Sequence, residues 1–490
     1  MKAIAIDIGA SSGRVIVGYL ERGTFKLEEI HRFLNNPVRP CQTMHWDILR
    51  LLYEVKRGLG KVRLQGHDDA SSIGIDTWAV DYGLLDEDGE LISNPVHYRD
   101  HRTDGMVEEV SKVMTREAIY ERTGIQFMTI NTLIQWYALK KGNGFKDAKM
   151  MLMIPDLLRY FISGNKVTEV SNASTTQFFN ANRREWDIEL LRNSISHIIY
   201  CHLLVEAGNR VGTIKESLAK ELNLPEMDVV AVGEHDTASA VAAIPTREES
   251  FAFLSCGTWS LLGTELSSPC ITEEAFRENF TNEAGVYGTT RFLKNIMGLW
   301  IVQRCMEEWS QHDEPLTYEE MGEAIDSTKP FVSFINPDED RFLSPSSMIE
   351  EVRAYCVETE QYIPKTKGEI LRCILESLSF KYRFTMERME AITGRTYRCL
   401  YLVGGGSKNQ WLCQFTANAI NRPVVAGPTE ATALGNIVVQ LIAGKHVSDL
   451  KTAREMIANS VSIKTYDANY LSGLERSYER FVSHLSITAN

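Results

Sequence analysis

The run Val230-Ala231-Val232-Gly233-Glu234-His235-Asp236-Thr237 is an apolar strand that enters a turn and ends in an acid and a hydroxyl. Asp228 to Val232 is β-branched and apolar enough for the interior of a parallel sheet, and ligands in α/β sheets sit just beyond the carboxyl ends of such strands. Asp236 then reads as a carboxylate at a cleft. The same residues also read as a helix start, with Asp236 capping Thr237-Ala238-Ser239-Ala240-Val241. Other stretches of the chain are what favour the cleft.

Ile4 to Val17 reads as strand, small polar turn, strand, with Gly9, Ala10, Ser11, Ser12, Gly13 and Arg14 at the turn. Bare backbone amides and two hydroxyls there can point at one anion such as phosphate, and Asp7 at the strand end can hold a hydrated cation. Glycine and serine also serve simply to turn a hairpin. Phe251 to Gly263 repeats the pattern half a chain later, with Gly257 and Thr258 in its turn, which suggests two domains of related build. Tyr401 to Leu412 reads as strand, three glycines (404 to 406) and helix. Three glycines in a row lose much entropy and pack nothing, so a nucleotide base, a ribose or a close backbone requires the space. Neither a Walker motif nor the dinucleotide Gly-x-Gly-x-x-Gly spacing occurs at these loops.

These residues need a scaffold. The 490 residues, 44% hydrophobic and 24% charged, predict two soluble globular domains. No apolar run approaches the ~20 residues of a membrane span. Met1 to Asp7 reads as a first strand and not a signal peptide, so a cytoplasmic location is expected. Nine scattered cysteines without a Cys-x-x-Cys pair argue for reduced thiols and against a zinc site. A net charge of −13 disfavours nucleic-acid and anionic-membrane partners; a monomer or small homo-oligomer acting on a small molecule is expected.

Trp46 to Gly58 predicts an amphipathic helix with Trp46, Leu49, Leu52, Tyr53 and Val55 inward. Ser72 to Trp78 predicts a strand, and Val80 to Leu91 a hairpin around Asp88-Gly89. Trp78 either plugs a core or offers a ring face to a sugar. Tyr98-Arg99-Asp100-His101-Arg102 is too charged for a strand, a surface ion-pair cluster being its plain reading; helical stretches follow to about Ile199. Ser171 to Thr176 is a polar loop or cap without readable chemistry. Lys294 to Glu308 predicts a helix with Asn295 and Gln303 on one half of its surface, and Gly368 to Met386 a long core helix. Pro245 to Ser250 is the expected domain boundary, giving segments 1-244 and 250-445, with a helical segment 446-490.

In this order, two hairpin phosphate loops, a central strand ending in Asp and a Gly-Gly-Gly loop resemble the FGGY family of sugar kinases. Ala10-Ser11-Ser12-Gly13-Arg14, Gly74 to Trp78, His235 to Val241, Gly257 to Ser260, Lys294 to Trp300, and Asn336-Pro337 with Asp340-Arg341-Phe342 resemble its branch that phosphorylates L-rhamnulose. The resemblance covers Ile4 to about Ile442. It implies an α/β fold of two actin-like (ribonuclease H-like) domains facing a central cleft, in the actin/hexokinase/Hsp70-like superfamily. The first carries the sugar site and one phosphate loop, the second the nucleotide.

The implied activity is ATP-dependent phosphorylation of L-rhamnulose at its 1-hydroxyl. Asp236 is then the general base, and Ala79, His235, Asp236 and Thr237 hold the sugar. Ala10, Ser11, Ser12, Gly13, Arg14 and Thr258 would meet the phosphates, Asn295, Gln303 and Gly405 the nucleoside, and Asp7 a hydrated Mg2+. One position departs from the pattern: Ala79 stands where that branch has Gly. Glycerol kinases carry Arg-Glu there and xylulokinases Met-His, so Ala79-Val80 favours a deoxy-sugar, with L-fuculose the nearest rival. A non-kinase actin-like or Hsp70-like ATPase is the alternative class, disfavoured because Lys451 to Asn490 offers no peptide-binding domain.

Overall fold

The computed structural model describes residues 1–142, 147–194, 203–312 and 314–487. Cys201 and the end of the helical run expected to reach Ile199 lie outside the described residues. Among the described residues no helix is long and apolar enough to cross a membrane, and the other eight cysteines are free thiols. Two compact units divide the chain, each assembled from separated stretches. Unit 1 comprises Met1–Glu248, Glu265–Leu293 and Glu430–Val461; unit 2 comprises Glu249–Thr264, Lys294–Thr429 and Ser462–Asn490.

Unit 1 is built on a sheet of β1 (Lys2–Ile8), β2 (Ser12–Glu21), β3 (Thr24–Leu34), β4 (Ala70–Thr77), β5 (Arg210–Thr213) and β6 (Asp228–Val230), in the order β5-β6-β4-β1-β2-β3. β1 runs antiparallel to β2 and parallel to β4. Ala3, Ile4, Ala5, Ile6 and Ile8 have no exposed surface, so the strand reads as an unbroken apolar run because both faces are covered. Packed on β2 and β3 of the same sheet, the helix Ile48–Leu64 starts at Asp47, whose side chain accepts from Arg50 N–H.

The buried face of that helix is Ile48, Leu51, Val55, Gly58, Leu59 and Val62. Leu49 and Tyr53, expected inward, are 57% and 60% exposed. The helix continues past Gly58, and the longer stripe through Leu59 and Val62 sets its rotation. The predicted Val80 to Leu91 hairpin shrinks to one bridge, Leu85 to Leu91, because Tyr82–Leu85 pairs instead with Met150–Met153.

A late stretch of chain completes unit 1. The helix Ala431–Ala443 packs so tightly on the helix Asp236–Ala242 that a Cβ on Gly435 would overlap the Ser239 carbonyl. Asn436 Nδ2 donates to Asp76 Oδ2 at 2.6 Å, Gln440 Nε2 to the Ile4 carbonyl at 2.9 Å, and Ser72 Oγ to Gln440 Oε1 at 2.6 Å. Buried amides thus satisfy groups of β1 and β4 that water cannot reach.

Unit 2 repeats the plan. β7 (Ala252–Cys256), β8 (Trp259–Leu266), β9 (Thr290–Met297), β10 (Leu400–Val403), β11 (Val424–Ala426) and β12 (Lys464–Tyr466) lie in the order β9-β8-β7-β10-β11-β12. β9 enters this unit at Lys294. β7 is antiparallel to β8 and parallel to β10, as β1 is to β2 and β4. The helix Lys367–Thr393 opens with a reciprocal cap between Thr366 and Glu369 and buries Ile370, Leu371, Ile374, Leu375 and Leu378.

One expected element is different in kind. Lys294–Met297 ends strand β9, and the helix begins only at Trp300. β9 is buried along most of its length, so its apolar residues do not alternate, and Phe292, Leu293, Ile296 and Met297 mimic helical spacing. Asn295 and Gln303 therefore share no helix.

Candidate functional site

In unit 1, parallel strands bring three carboxylates together. Asp7 lies opposite Asp76 in the β1-β4 register, and Thr77 bridges to His235, the residue before Asp236. β6 stops at Val230, two residues short of the expected Val232. His235 occupies the cap position of the Asp236–Ala242 helix without a side-chain bond, and Asp236 is its first helical residue. The capping role read for Asp236 is therefore not filled. Its side chain is 31% exposed, accepts from Thr237 Oγ1 at 3.1 Å and faces His235 Nε2 at 3.4 Å.

Electrostatics tie the three together. Burial first, and then the Asp236 charge, push the Asp7 carboxyl up against the pull of Arg14. Asp76 is pushed well up by burial and then by Asp7. Like charges this close disfavour full ionisation. Arg14 answers part of the charge: it donates to Asp7 Oδ2 at 2.5 Å and also pairs with Glu430.

The loop before Arg14 is open. Ser11 is exposed and Gly9, Ala10 and Ser12 are half-buried, while Gly13 is buried. Gly9 N–H bonds the Ser12 carbonyl at 2.9 Å, and Asn35 braces the loop through the Gly9 and Ser11 carbonyls.

Two groups that carry no local sequence signal meet His235. Glu283 and Arg291 are paired across the hairpin of Thr281–Ala284 and Thr290–Met297. Arg291 NH2 is 3.0 Å from His235 Nδ1, and Glu283 Oε2 is 3.3 Å from the same nitrogen. A guanidinium only donates and a carboxylate only accepts, so the Arg291 contact needs Nδ1 unprotonated and the Glu283 contact needs it protonated; Arg291 and Glu283, paired with each other at 3.2 Å, meet the same ring edge.

Beneath the same turn lies a fully buried charge cluster. Arg159 Nε donates to Glu234 Oε1 at 2.8 Å and its NH2 to Asp156 Oδ1 at 2.6 Å. Glu169 Oε2 accepts from Ser171 Oγ at 2.5 Å, Asn172 N–H at 3.3 Å and Glu234 N–H at 3.2 Å. Ser171 Oγ in turn accepts His235 N–H at 3.1 Å. The Ser171 to Thr176 stretch, chemically mute in sequence, thus underlies the Asp236 turn.

Ala79 is half-buried and precedes Val80, whose φ is +66°, a rare value for a β-branched residue. Its carbonyl accepts from Asp81 N–H at 2.9 Å. Asp81, pushed up to about 6 by burial, also accepts from Trp46 Nε1, Trp78 Nε1 and Gln135 Nε2 at 2.5, 3.0 and 2.7 Å. Trp78 is 5% exposed, with its ring 4.1 Å from that of Trp46; it plugs the core. Tyr98, Arg99 and Asp100 are buried beside this cluster, so the surface reading fails for three of the five residues 98 to 102.

In unit 2, the Thr258 carbonyl accepts the N–H groups of Gly298 and Trp300, both at 3.2 Å. It thereby braces the turn between Asn295, half-buried on β9, and Gln303, exposed on the helix Trp300–Gln311. In the triple-glycine loop, Gly404 has φ +83°, and a Cβ on Gly406 would overlap the Cys256 side chain. Backbone packing thus explains two of the glycines. Gly405 is exposed and has nothing within 4 Å of a Cβ position, so its space is free for a ligand.

The described residues contain no cluster of three or more His, Cys, Asp or Glu side chains arranged to hold a metal without other ligands.

Two family models match successive parts of the chain, the second of them running through Glu265–Leu293 and the start of Glu430–Val461, which belong to unit 1. The model of the FGGY carbohydrate kinase N-terminal domain matches residues 2–243, and that of the C-terminal domain matches 252–444. The chain is 42% identical over 479 residues to a rhamnulokinase of Bacteroides thetaiotaomicron, covering 97% of this chain and 98% of that protein. It is 41% identical to one of Bacillus subtilis, over 94% of each. Among solved structures, a gluconate kinase of Lactobacillus acidophilus superposes with a TM-score of 0.80 at 17% identity, over 99% of this chain and 97% of that one. A xylulose kinase of the same organism gives 0.80 at 16%, with the same coverage.

Proposed function

The chain belongs to the FGGY family of carbohydrate kinases, and from that premise we propose that it transfers the γ-phosphoryl group of ATP to the 1-hydroxyl of L-rhamnulose. The products are L-rhamnulose 1-phosphate and ADP. The observation that carries the chemistry is Asp236, a part-exposed carboxylate at the start of a helix, with a histidine and a threonine beside it. The substrate is supported by full-length relatives named rhamnulokinases at 40% to 42% identity.

In this reading Asp236 takes the proton of O1 as that oxygen bonds to the γ-phosphorus, while the bond to the β,γ-bridging oxygen breaks and ADP leaves. His235, braced by Arg291 and Glu283, and Thr237 hold the sugar, and Ala79 bounds the pocket in unit 1. Ala10, Ser11, Ser12, Gly13 and Arg14 take phosphate oxygens. Arg14 can do so by exchanging its bonds to Asp7 and Glu430 for bonds to phosphate, the anion that a planar guanidinium matches well. In unit 2, Thr258 takes phosphate, and Asn295, Gln303 and Gly405 take the nucleoside.

Mg2+ fits the acid pair at the end of β1 and β4. Asp76 Oδ1 is buried without a hydrogen-bond partner, the neighbouring Asp7 is pushed up by burial, and Mg2+ prefers one or two carboxylates plus waters and phosphate. Asp7 and Asp76 would hold it, and when bound it neutralises charge on the β- and γ-phosphates. The test is an ADP-release assay over a panel of ketoses. Turnover highest with L-rhamnulose is expected. Equal or higher kcat/KM with L-fuculose would move the substrate assignment, and ADP release independent of any sugar would remove the kinase reading.

A further inference from the structure

The charge cluster under the Asp236 turn has no place in the transfer step as described, yet it holds the peptide that carries the base. We propose that Glu169 is a positioning residue for phosphoryl transfer: through its own bond to Glu234 N–H and through Ser171 to His235 N–H, its buried carboxylate fixes the two peptides before Asp236. This inference rests on the sugar-kinase reading of Asp236.

The geometry is a relay with one origin. Glu169 Oε2 collects three donors, of which Asn172 N–H belongs to the short helix that Glu169 caps and Glu234 N–H to the catalytic turn. The third, Ser171 Oγ–H, frees the serine oxygen to accept His235 N–H. Two successive N–H groups of the turn are therefore held by one carboxylate, one directly and one through a hydroxyl. The Glu234 side chain is clamped separately by Arg159, and its carbonyl accepts Thr77 N–H at 2.9 Å. The turn is thus fixed along its backbone as well as at its side chains, which suits a group that must meet its proton within tenths of an ångström.

A cap alone would not need such burial. Glu169, Asp156, Glu234 and Arg159 have no exposed surface, and one guanidinium faces three acids. Glu169 Oε1 is buried without a hydrogen-bond partner. The charged groups facing Glu169 are Asp156 and Arg159 from the helix Ile154–Ser163, Glu234 from the turn, and Arg291 from β9. Burial, with the Asp156 charge, pushes Glu169 up to about 7. As the carboxylate it makes charge-assisted bonds to its donors, roughly twice as strong as those of the neutral acid. The turn is accordingly held firmly above that pH and more loosely below it.

The test measures kcat, KM for sugar and ATP, and melting temperature from about pH 6 to pH 9 in the parent, Glu169→Gln and Ser171→Ala. In the parent, kcat is expected to rise with pH through a transition near 7. Glu169→Gln mimics the neutral acid and should lower kcat at high pH by about tenfold, abolish that transition and leave KM for ATP within about twofold. Ser171→Ala cuts the arm to His235 and also removes one of the three donors to Glu169 Oε2, so kcat should fall severalfold while the transition persists and moves to higher pH. A Glu169→Gln enzyme that keeps the parental kcat, or keeps the transition, overturns the proposal. Should that variant not fold, a parental kcat in Ser171→Ala overturns it equally. A parent inactive on L-rhamnulose but active on another ketose refutes the substrate reading alone, and the comparison then runs on the accepted ketose.

Discussion

Replacing Asp236 by Asn isolates the charge from the shape. The amide keeps an oxygen that can accept from Thr237 Oγ1, the bond now 3.1 Å long, so the helix start need not move. Asp236 is part-exposed and caps nothing, and its charge, after burial, helps push Asp7 and Asp76 up. Removing it relieves like-charge repulsion, so the melting temperature should hold or rise slightly. The barrier behaves differently. A positioned base contributes about 10² to 10⁴ in rate, or roughly 3 to 5 kcal/mol, and the side chains touching it do not substitute: His235 is engaged at Nδ1 by Arg291 and Glu283, and Thr237 is a hydroxyl. Stopped-flow or coupled assays should give kcat down by that factor, with ATP Kd, measured by calorimetry, within about threefold of the parent. Turnover within threefold of the parent would refute the base assignment, and a collapse of melting temperature would refute the claim that its role is chemical.

Three further outcomes are expected. Ala79→Gly should leave L-rhamnulose kcat/KM nearly unchanged and widen ketose acceptance, whereas Ala79→Arg, which buries an unpaired cation at a half-buried site, should cost more than about 3 kcal/mol in kcat/KM; parental turnover in the arginine variant takes Ala79 out of the pocket. Asn436→Ala removes the donor to buried Asp76 Oδ2 and should destabilise unit 1 by about 1 to 3 kcal/mol, read as a denaturant midpoint shift that an unchanged midpoint would contradict. Glu376, in unit 2, is pushed up to about 7 by burial. A folded carboxyl that holds its proton above the unfolded pKa makes stability fall as pH rises from about 4.5 to 7, here by up to about 3 kcal/mol. Glu376→Gln should lose that slope, and a parent-minus-variant difference in stability that stays flat with pH would refute it.

How much of this was legible in the sequence depends on range. Short-range signals read well: the β1-β2 and β7-β8 hairpins, the strand that feeds Asp236, and the long helix through Leu378 all follow from local pattern and turn chemistry. The triple glycine pointed to a real demand for space, although packing against Cys256 accounts for Gly404 and Gly406 and only Gly405 is left for a ligand. Local periodicity failed where burial was complete, as in β9, whose two covered faces imitate a helix from Lys294. The partners of the Asp236 turn were invisible for another reason. Glu169, Ser171, Glu283 and Arg291 are brought to Glu234 and His235 by pairing between positions 48 to 65 apart in the chain, and no local spacing records that. Charge density is a poor guide to exposure at Arg99 and Asp100: the guanidinium lies over the Tyr98 ring and the carboxylate accepts the N–H groups of Met44 and Arg102, so both are buried.

The helix Ala431–Ala443 gives unit 1 a temporal problem. Ribosomes add roughly 5 to 20 residues each second, so the strands carrying Asp7 and Asp76 emerge well before Asn436 and Gln440, the amides that satisfy Asp76, Ser72 and the Ile4 carbonyl. For that interval the nascent sheet has a bare apolar face and unanswered polar groups inside it. Unit 1 therefore closes late although its first strand is made early, and the surroundings of its acid pair are completed only once synthesis has passed Gln440. A nascent chain stalled before Ala431 would present that uncovered face to chaperones and proteases, which makes synthesis of Ala431–Ala443 the step that finishes the surroundings of Asp7 and Asp76.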